Sequence, residues 1–210
     1  MTTVLLARHG ETAWNRNRRA QGWAPVRLND QGRAQARALA SHLTDSYALD
    51  RIHASDLDRT AETAQIVSEE GFPHLDPVLE PYWRERDLGV YQGLTYEELS
   101  DRYPAFALVG DRRRDPEAVP EGGESLLDVR DRVLEGWESL TASLDGGNET
   151  TLVVAHGGPI KLLLGHLQGL DPAESIDGIA QDNCAVNEIR VNGGPTEANV
   201  VRENVSHFYE

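Results

Sequence analysis

Cysteine is nearly absent from this chain: Cys184 is the only one in 210 residues. A single thiol cannot form an internal disulfide, nor build the Cys-rich cage of a structural zinc or an iron–sulfur cluster. Lysine is as scarce. Lys161 stands alone, so 19 of the 20 basic residues are arginine, and against 35 acidic residues the formal net charge is −15. An acidic surface of that size repels nucleic-acid backbones and anionic lipid, which speaks against nucleic acid and membrane as partners. Long apolar runs are missing as well. Residues 4–7 form the only such run ahead of Arg8 and His9, too short for the core of a signal peptide, and no stretch reaches the about 18 residues needed to cross a bilayer. The chain reads as soluble and cytoplasmic. Excess acid with almost no lysine suits a high-salt cytoplasm, where carboxylates keep their hydration, and it equally suits a GC-rich genome that favours arginine.

The remaining composition, 39% hydrophobic and 26% charged, is that of a globular protein. At roughly 150 residues per domain the length fits one large domain, 1–210, with no repeat or linker to divide it. Short apolar runs alternate with amphipathic stretches, the order of an α/β domain. Residues 3–7, 51–54 and 150–155 read as strands, with late strands at 184–191 and 198–201. The first of these late strands, taken as a sheet edge, leaves a dimer open. Helices are predicted over 29–43, where Ala36, Leu39, Ala40 and Leu43 recur at helical spacing, and over 57–70, closed by Gly71 and Pro73. Another spans 125–144, opened by a Ser125–Asp128 capping box and closed by Gly146, Gly147 and Asn148; a fourth covers 160–167. The least regular part, 106–123, holds Arg112, Arg113, Arg114, Pro116 and Pro120 and reads as a surface loop or lid, within a lid-like segment at about 94–123.

Two strand ends deliver polar residues into glycine turns, where open α/β sheets place their ligands: Arg8-His9-Gly10-Glu11-Thr12 and His156-Gly157-Gly158-Pro159. A neutral imidazole is a good nucleophile near neutral pH, and an adjacent guanidinium can hold an anion in line for attack. Gly10 would let the backbone pass close to that anion, and a helix starting there would aim N–H groups at it. Two other chemistries compete. Cys184 and Arg190 fit the Cys-x5-Arg spacing of cysteine-dependent phosphatases. The segment between them is β-branched and alternating, though, and it sets Glu188 where a phosphate would sit, so a buried strand cysteine is the simpler reading. A metal site from His9, His156, Glu85 and His53 would need ligand spacing that the sequence does not show, so no metal and no cofactor is expected.

Residues Arg8 to Asn15, Arg-His-Gly-Glu-Thr-Ala-Trp-Asn, resemble the amino-terminal signature of the histidine phosphatases, the phosphoglycerate mutase-like superfamily. Three more stretches match in family order: 55–64, with Arg59; 85–93, opening on Glu85; and 154–158, with His156. Together they span 3–167. The resemblance implies a phosphoglycerate mutase-like α/β fold, a three-layer sandwich with a mostly parallel central sheet flanked by helices. It also implies that His9 is phosphorylated as a covalent intermediate, that Arg8, Arg59 and His156 hold the transferring phosphoryl oxygens, and that Glu85 protonates the leaving oxygen and then activates water. Asn15, Gln21, Gly22 and Gly157 are implied as further hydrogen-bond partners of phosphate or substrate. Fixed cations suit this chemistry, because phosphoryl transfer depends chiefly on positioning and charge neutralisation.

Between Glu85 and Glu124 the chain is shorter than the corresponding stretch of cofactor-dependent mutases, and Gly93-Leu94-Thr95-Tyr96 replaces their Leu-Asn-Lys. Both departures favour a metal-independent hydrolase of small phosphorylated metabolites. A cofactor-dependent phosphoglycerate mutase is the alternative, kept open by Arg112, Arg113 and Arg114, since mutases carry an arginine pair in their lid. A non-catalytic phospho-ligand binding protein is the distant third, because both histidines, both arginines and Glu85 are retained.

Overall fold

In the computed structural model, which describes residues 2–103, 115–144 and 147–209, one sheet contains β1 (Thr2–Arg8), β2 (Arg51–Ser55), β3 (Val78–Glu80), β4 (Thr150–Ala155), β5 (Val186–Val191) and β6 (Ala198–Val205). The strand order is β3-β2-β4-β1-β5-β6. β1 to β4 pair in parallel, while β5 runs antiparallel to both β1 and β6. The helices are α1 (Ala13–Arg16), α2 (Asp30–Ser46), α3 (Asp58–Gly71), α4 (Tyr96–Arg102), α5 (Leu126–Ala142), α6 (Gly157–Leu167) and α7 (Pro172–Gly178). Val4, Leu6, Val153 and Ala155 pack into one core with α5 and α6; Leu5, Ala7, Leu152 and Val154 pack into another with α2 and α3. Covering both faces in this way is why β1 and β4 are continuously apolar instead of alternating. The result is a three-layer α/β/α sandwich, with Ala36, Leu39, Ala40 and Leu43 on the buried face of α2.

Several elements differ from their expected form. α6 begins at Gly157, three residues earlier than spacing predicts. His156 is its extended N-cap, and Gly157, Gly158 and Pro159 make the first turn, where the missing N–H of proline carries no penalty. The stretch 184–191 is not a sheet edge, because β5 is paired on both sides; the edge strand on this side is β6. Cys184 is buried but lies two residues ahead of β5 at φ +56°, in a turn and not in a strand. α4 and α7 are additional to the expected helices. Each opens on a capping box, Thr95 with Glu98 and Asp171 with Glu174, yet is too short to show a period. Arg112, Arg113 and Arg114, most of the expected lid loop, and Gly146 lie outside the described residues.

The turn after β1 is pressed onto α2. A Cβ on Gly10 would overlap the Gly32 carbonyl oxygen, and one on Gly32 would overlap the carbonyl of Glu11. Gly10 is therefore required by packing against α2, and no helix starts there; α1 begins at Ala13 with Thr12 as its N-cap. Alanine is otherwise the better helix former in the first turn of α2. Gly32→Ala is nevertheless expected to lower the unfolding free energy by about 1–3 kcal/mol through overpacking, as read from urea denaturation; an unchanged midpoint would remove this contact as the reason for the glycine pair.

Candidate active site

In the β1–β4 ladder Arg8 lies opposite Ala155, and the His9 N–H donates to the Ala155 carbonyl at 3.0 Å. His9 and His156 thus leave neighbouring parallel strands side by side, with ring centres 5.2 Å apart at an interplanar angle of 61°. Ser55 ends β2, on the other flank of β4. The three side chains stand abreast beyond the carboxyl ends of adjacent strands, the usual ligand position in an open α/β sheet.

His9 is 2% exposed. Its Nδ1 is 2.7 Å from the Gly10 carbonyl oxygen, which can only accept, so the ring proton sits on Nδ1 and Nε2 carries the lone pair. Burial, reinforced by the positive charges of Arg59 and Arg8, holds its pKa well below the usual histidine value, leaving a neutral ring. Arg59 Nε–H reaches His9 Nε2 at 3.3 Å, and its two terminal nitrogens donate to the carbonyls of Gly22 at 2.7 Å and Ala24 at 3.4 Å. Burial lowers the Arg59 pKa to about 10, still cationic at neutral pH. Arg8 donates to the Gln181 carbonyl at 2.6 Å, while its Nε is buried without a partner. His156 is fully buried, with Nε2 2.9 Å from Ser55 Oγ and Nδ1 unpartnered. Burial, aided by Arg59, His9 and Arg8, lowers its pKa as well. Two guanidinium groups and two neutral imidazoles, with Glu85 across the same cavity, make a cationic cluster in a chain of charge −15, an arrangement that favours an anion.

Glu85 follows the 3₁₀ turn Pro81–Trp83. One carboxylate oxygen accepts the Gly158 N–H of the first turn of α6 at 3.3 Å, and the other accepts the Arg86 N–H at 2.9 Å. Its carbonyl accepts from Trp23 Nε1 at 2.6 Å and from Arg132 at 3.3 Å. Arg132, on α5, also donates to the carbonyls of Pro81, Tyr82 and Arg84 at 3.2, 3.0 and 3.0 Å and pairs with Glu124 at 2.9 Å. One guanidinium therefore gathers the whole segment that carries the acid. Across the site, Thr12 Oγ1 lies 2.9 Å from Gln21 Oε1 and 3.0 Å from Asn15 Oδ1. Its one proton can go to either amide oxygen, and Asn15 Oδ1 also accepts the Thr12 backbone N–H at 3.0 Å.

Of the nine residues singled out from the sequence, all but His156 line one cavity of about 870 Å³. Gly22, at φ +53°, serves through its carbonyl on Arg59, and Gly157 packs on Arg8, where an added Cβ would lie 3.7 Å from Nε. His53 does not join them; it pairs with Glu80 at 2.9 Å. Among the described residues no group of three or more His, Cys, Asp or Glu is arranged to hold a metal. Cys184 lies behind His9, its N–H donating to the carbonyls of Arg8 at 3.0 Å and His9 at 3.3 Å, and burial pushes its thiol pKa up. Arg190 lies on β5, paired with Glu188 at 3.3 Å, so the Cys-x5-Arg segment forms no anion loop. Sequence reasoning missed Ser55, Thr12, Gln181 and Arg132 as supports of the site. Ser55 ends a strand just as His9 and His156 follow one, a signal that was available; Arg132 had none.

The family model described as histidine phosphatase superfamily (branch 1) matches residues 4–204. The chain belongs to this superfamily. It is 36% identical over 208 residues to phosphoglycerate mutase-like protein 4 of Arabidopsis thaliana, covering 99% of this chain and 87% of that protein. Its structure is similar to that of YhfR from Bacillus stearothermophilus, with a TM-score of 0.88 and 32% identity over 100% of both chains. It is also similar to a mycobacterial glucosyl-3-phosphoglycerate phosphatase solved with VO3, with a TM-score of 0.83 and 30% identity over 97% of this chain and 99% of that one. A metal-independent phosphoserine phosphatase and phosphoglycerate mutases, at 34% and 33% identity, are among its further relatives. Among the described residues no helix is long and apolar enough to cross a membrane.

The neutral histidines link stability to pH. Below the ordinary histidine pKa of 6.5, the unfolded chain binds protons that native His9 and His156 refuse, so stability falls as pH drops from 7 toward 5. Each contributes at most about 1.4 kcal/mol per pH unit. Urea midpoints of the wild type should fall more steeply over that range than those of a His9→Asn/His156→Asn double variant, and equal slopes would contradict neutral burial.

Proposed function

We propose that the chain is a metal-independent phosphomonoester hydrolase of small phosphorylated metabolites, acting in the cytoplasm through a phosphohistidine at His9. The observation that carries this reading is the His9 Nε2 lone pair, set against Arg59 beside Arg8 and His156. An arriving phosphoryl oxygen takes the Arg59 N–H from Nε2 and frees the lone pair to attack phosphorus. The phosphorus–oxygen ester bond breaks as the Glu85 carboxyl gives its proton to the leaving oxygen. In the second half the Glu85 carboxylate takes a proton from water, the water oxygen attacks phosphorus, and the N–P bond breaks to restore neutral His9. Throughout, Nδ1–H stays on the Gly10 carbonyl, which steadies the positive charge of the phosphorylated ring.

Hydrolysis is supported over transfer by the short stretch between Glu85 and Glu124 and by the likeness to a phosphatase of a phosphorylated small molecule. The mutase reading keeps one specific support, the mutases among the relatives. The test is phosphate release from p-nitrophenyl phosphate and 3-phosphoglycerate in EDTA, at low and at molar salt. His9→Ala is expected to lose about 10³-fold or more, with Cys184→Ser unchanged. Glu85→Gln should lose about 10²- to 10⁴-fold on 3-phosphoglycerate and far less on the aryl ester, whose leaving oxygen hardly needs a proton. An active His9→Ala would overturn the phosphohistidine. Phosphoryl exchange with 2,3-bisphosphoglycerate in the absence of hydrolysis would turn the assignment to a mutase.

A further inference from the structure

The hydroxyl of Ser55 is fully buried and has two neighbours, the Leu57 backbone N–H at 3.3 Å and His156 Nε2 at 2.9 Å. A hydroxyl has one proton to donate. Leu57 N–H cannot receive it, so Nε2 is the acceptor available to a proton that would otherwise be buried unpaired. Nε2 then carries the lone pair of His156, and the proton of the neutral ring sits on Nδ1. That atom is buried and has no partner in the protein. Arg8 Nε is in the same condition, and Gly157, the residue after His156, lies against the Arg8 guanidinium. Two unsatisfied N–H donors beside His9 form a set that the oxygens of a tetrahedral anion complete. The other tautomer would strand the Ser55 proton and turn a bare lone pair toward those oxygens.

We propose that Ser55 is a positioning residue that holds His156 as its Nδ1–H tautomer, so that this N–H is presented to the transferring phosphoryl group. The inference rests on the phosphoryl-transfer reading above for its ligand and on geometry alone for its tautomer. His9 and His156 are then the same tautomer turned end for end. His9 ties its N–H to the Gly10 carbonyl and offers a lone pair; His156 ties its lone pair to Ser55 and offers an N–H.

Long-range proton–nitrogen correlation on protein labelled with ¹⁵N-histidine reads this directly. In the wild type, His156 Nδ1 should resonate as a protonated nitrogen and Nε2 as an unprotonated one, with the Nδ1 proton moving downfield on titration with orthovanadate. Ser55→Ala should scramble that pattern, weaken vanadate inhibition and lower kcat/KM by about 10- to 100-fold, less than loss of a direct donor; Ser55→Thr, which keeps a hydroxyl, should recover part of it. A protonated Nε2 in the wild type overturns the proposal whatever the variants do, as does a Ser55→Ala protein with unchanged shifts and turnover. A protonated Nδ1 in a protein that binds no vanadate and hydrolyses no phosphate ester supports the tautomer and overturns its phosphoryl partner together with the function above.

Discussion

The parallel pairing of β1 with β4, in a register that sets Arg8 against Ala155, decides where every charge of the site can go. A slip of one residue would exchange the two faces of β1 and carry Val4 and Leu6 out of their core. β1 has no room to slip, because β5 occupies its other edge and both of its faces are covered. Past the strand end the hold continues. The His9 carbonyl accepts from Asn183 Nδ2 at 2.9 Å and from the Cys184 N–H at 3.3 Å, and the turn behind it is wedged on Gly32. His9 is thus held by backbone contacts and by the Asn183 amide before its ring meets another side chain of the site.

Within that rigid frame two guanidinium groups share one pocket. Were His9 and His156 protonated, four positive groups would crowd a space in which charge repulsion is poorly screened. Burial keeps both rings neutral, so the repulsion is confined to Arg8 and Arg59. Carbonyl oxygens of Gly22, Ala24 and Gln181 accept from the two groups, and the Glu85 charge on the same cavity helps to keep Arg59 cationic. A site of this kind has to act at short range. The surrounding chain carries −15 and repels a distant phosphate, and only within a Debye length of about 8 Å at physiological salt does the local positive charge prevail.

How much of this was legible in the sequence follows from how far apart the partners lie. β1 and β4 announced themselves as continuous apolar runs ending in glycine turns, and α2 and α3 by period, because each signal is contained in a dozen residues. The candidate set was legible through its motifs: Arg8, His9, Arg59 and Glu85 line one cavity, His156 lies beside His9 behind it, and His53 is elsewhere. The supports were not. Ser55 and His156 are 101 residues apart, Arg132 and Glu85 47, and Arg8 and Gln181 173. Gly10 was read as letting the backbone pass close to a bound anion, while its packing reason lies across the turn in Gly32. Cys184 looked like part of a strand since nothing in a cysteine signals the left-handed backbone that it adopts.

Chemistry and selectivity are separable in this architecture. In the proposed reaction Arg8, His9, Arg59 and His156 would meet only the phosphoryl group, and a site of that kind is indifferent to what the group is attached to, in keeping with the phosphatases and mutases among the relatives. Discrimination then falls to the rest of the cavity, whose lining includes Leu88, Tyr91 and Leu99 and the cations Arg18, Arg86 and Lys161. Those cations are not equivalent. Arg86 is buried and donates to the carbonyls of Glu124 at 2.7 Å and Ala118 at 2.6 Å, which ties the acid segment to the approach to α5. Lys161, the sole lysine, sits one turn into α6 from Gly157 and donates to the Ile176 carbonyl at 2.8 Å, bridging α6 to α7 at the cavity wall. This part of the wall is therefore built on α6, whose first turn also binds Glu85. A change that shifts α6 there also shifts the Glu85 side chain, whereas Asn17, Arg18, Tyr96 and Glu97 line the cavity away from α5 and α6 and can change without moving it.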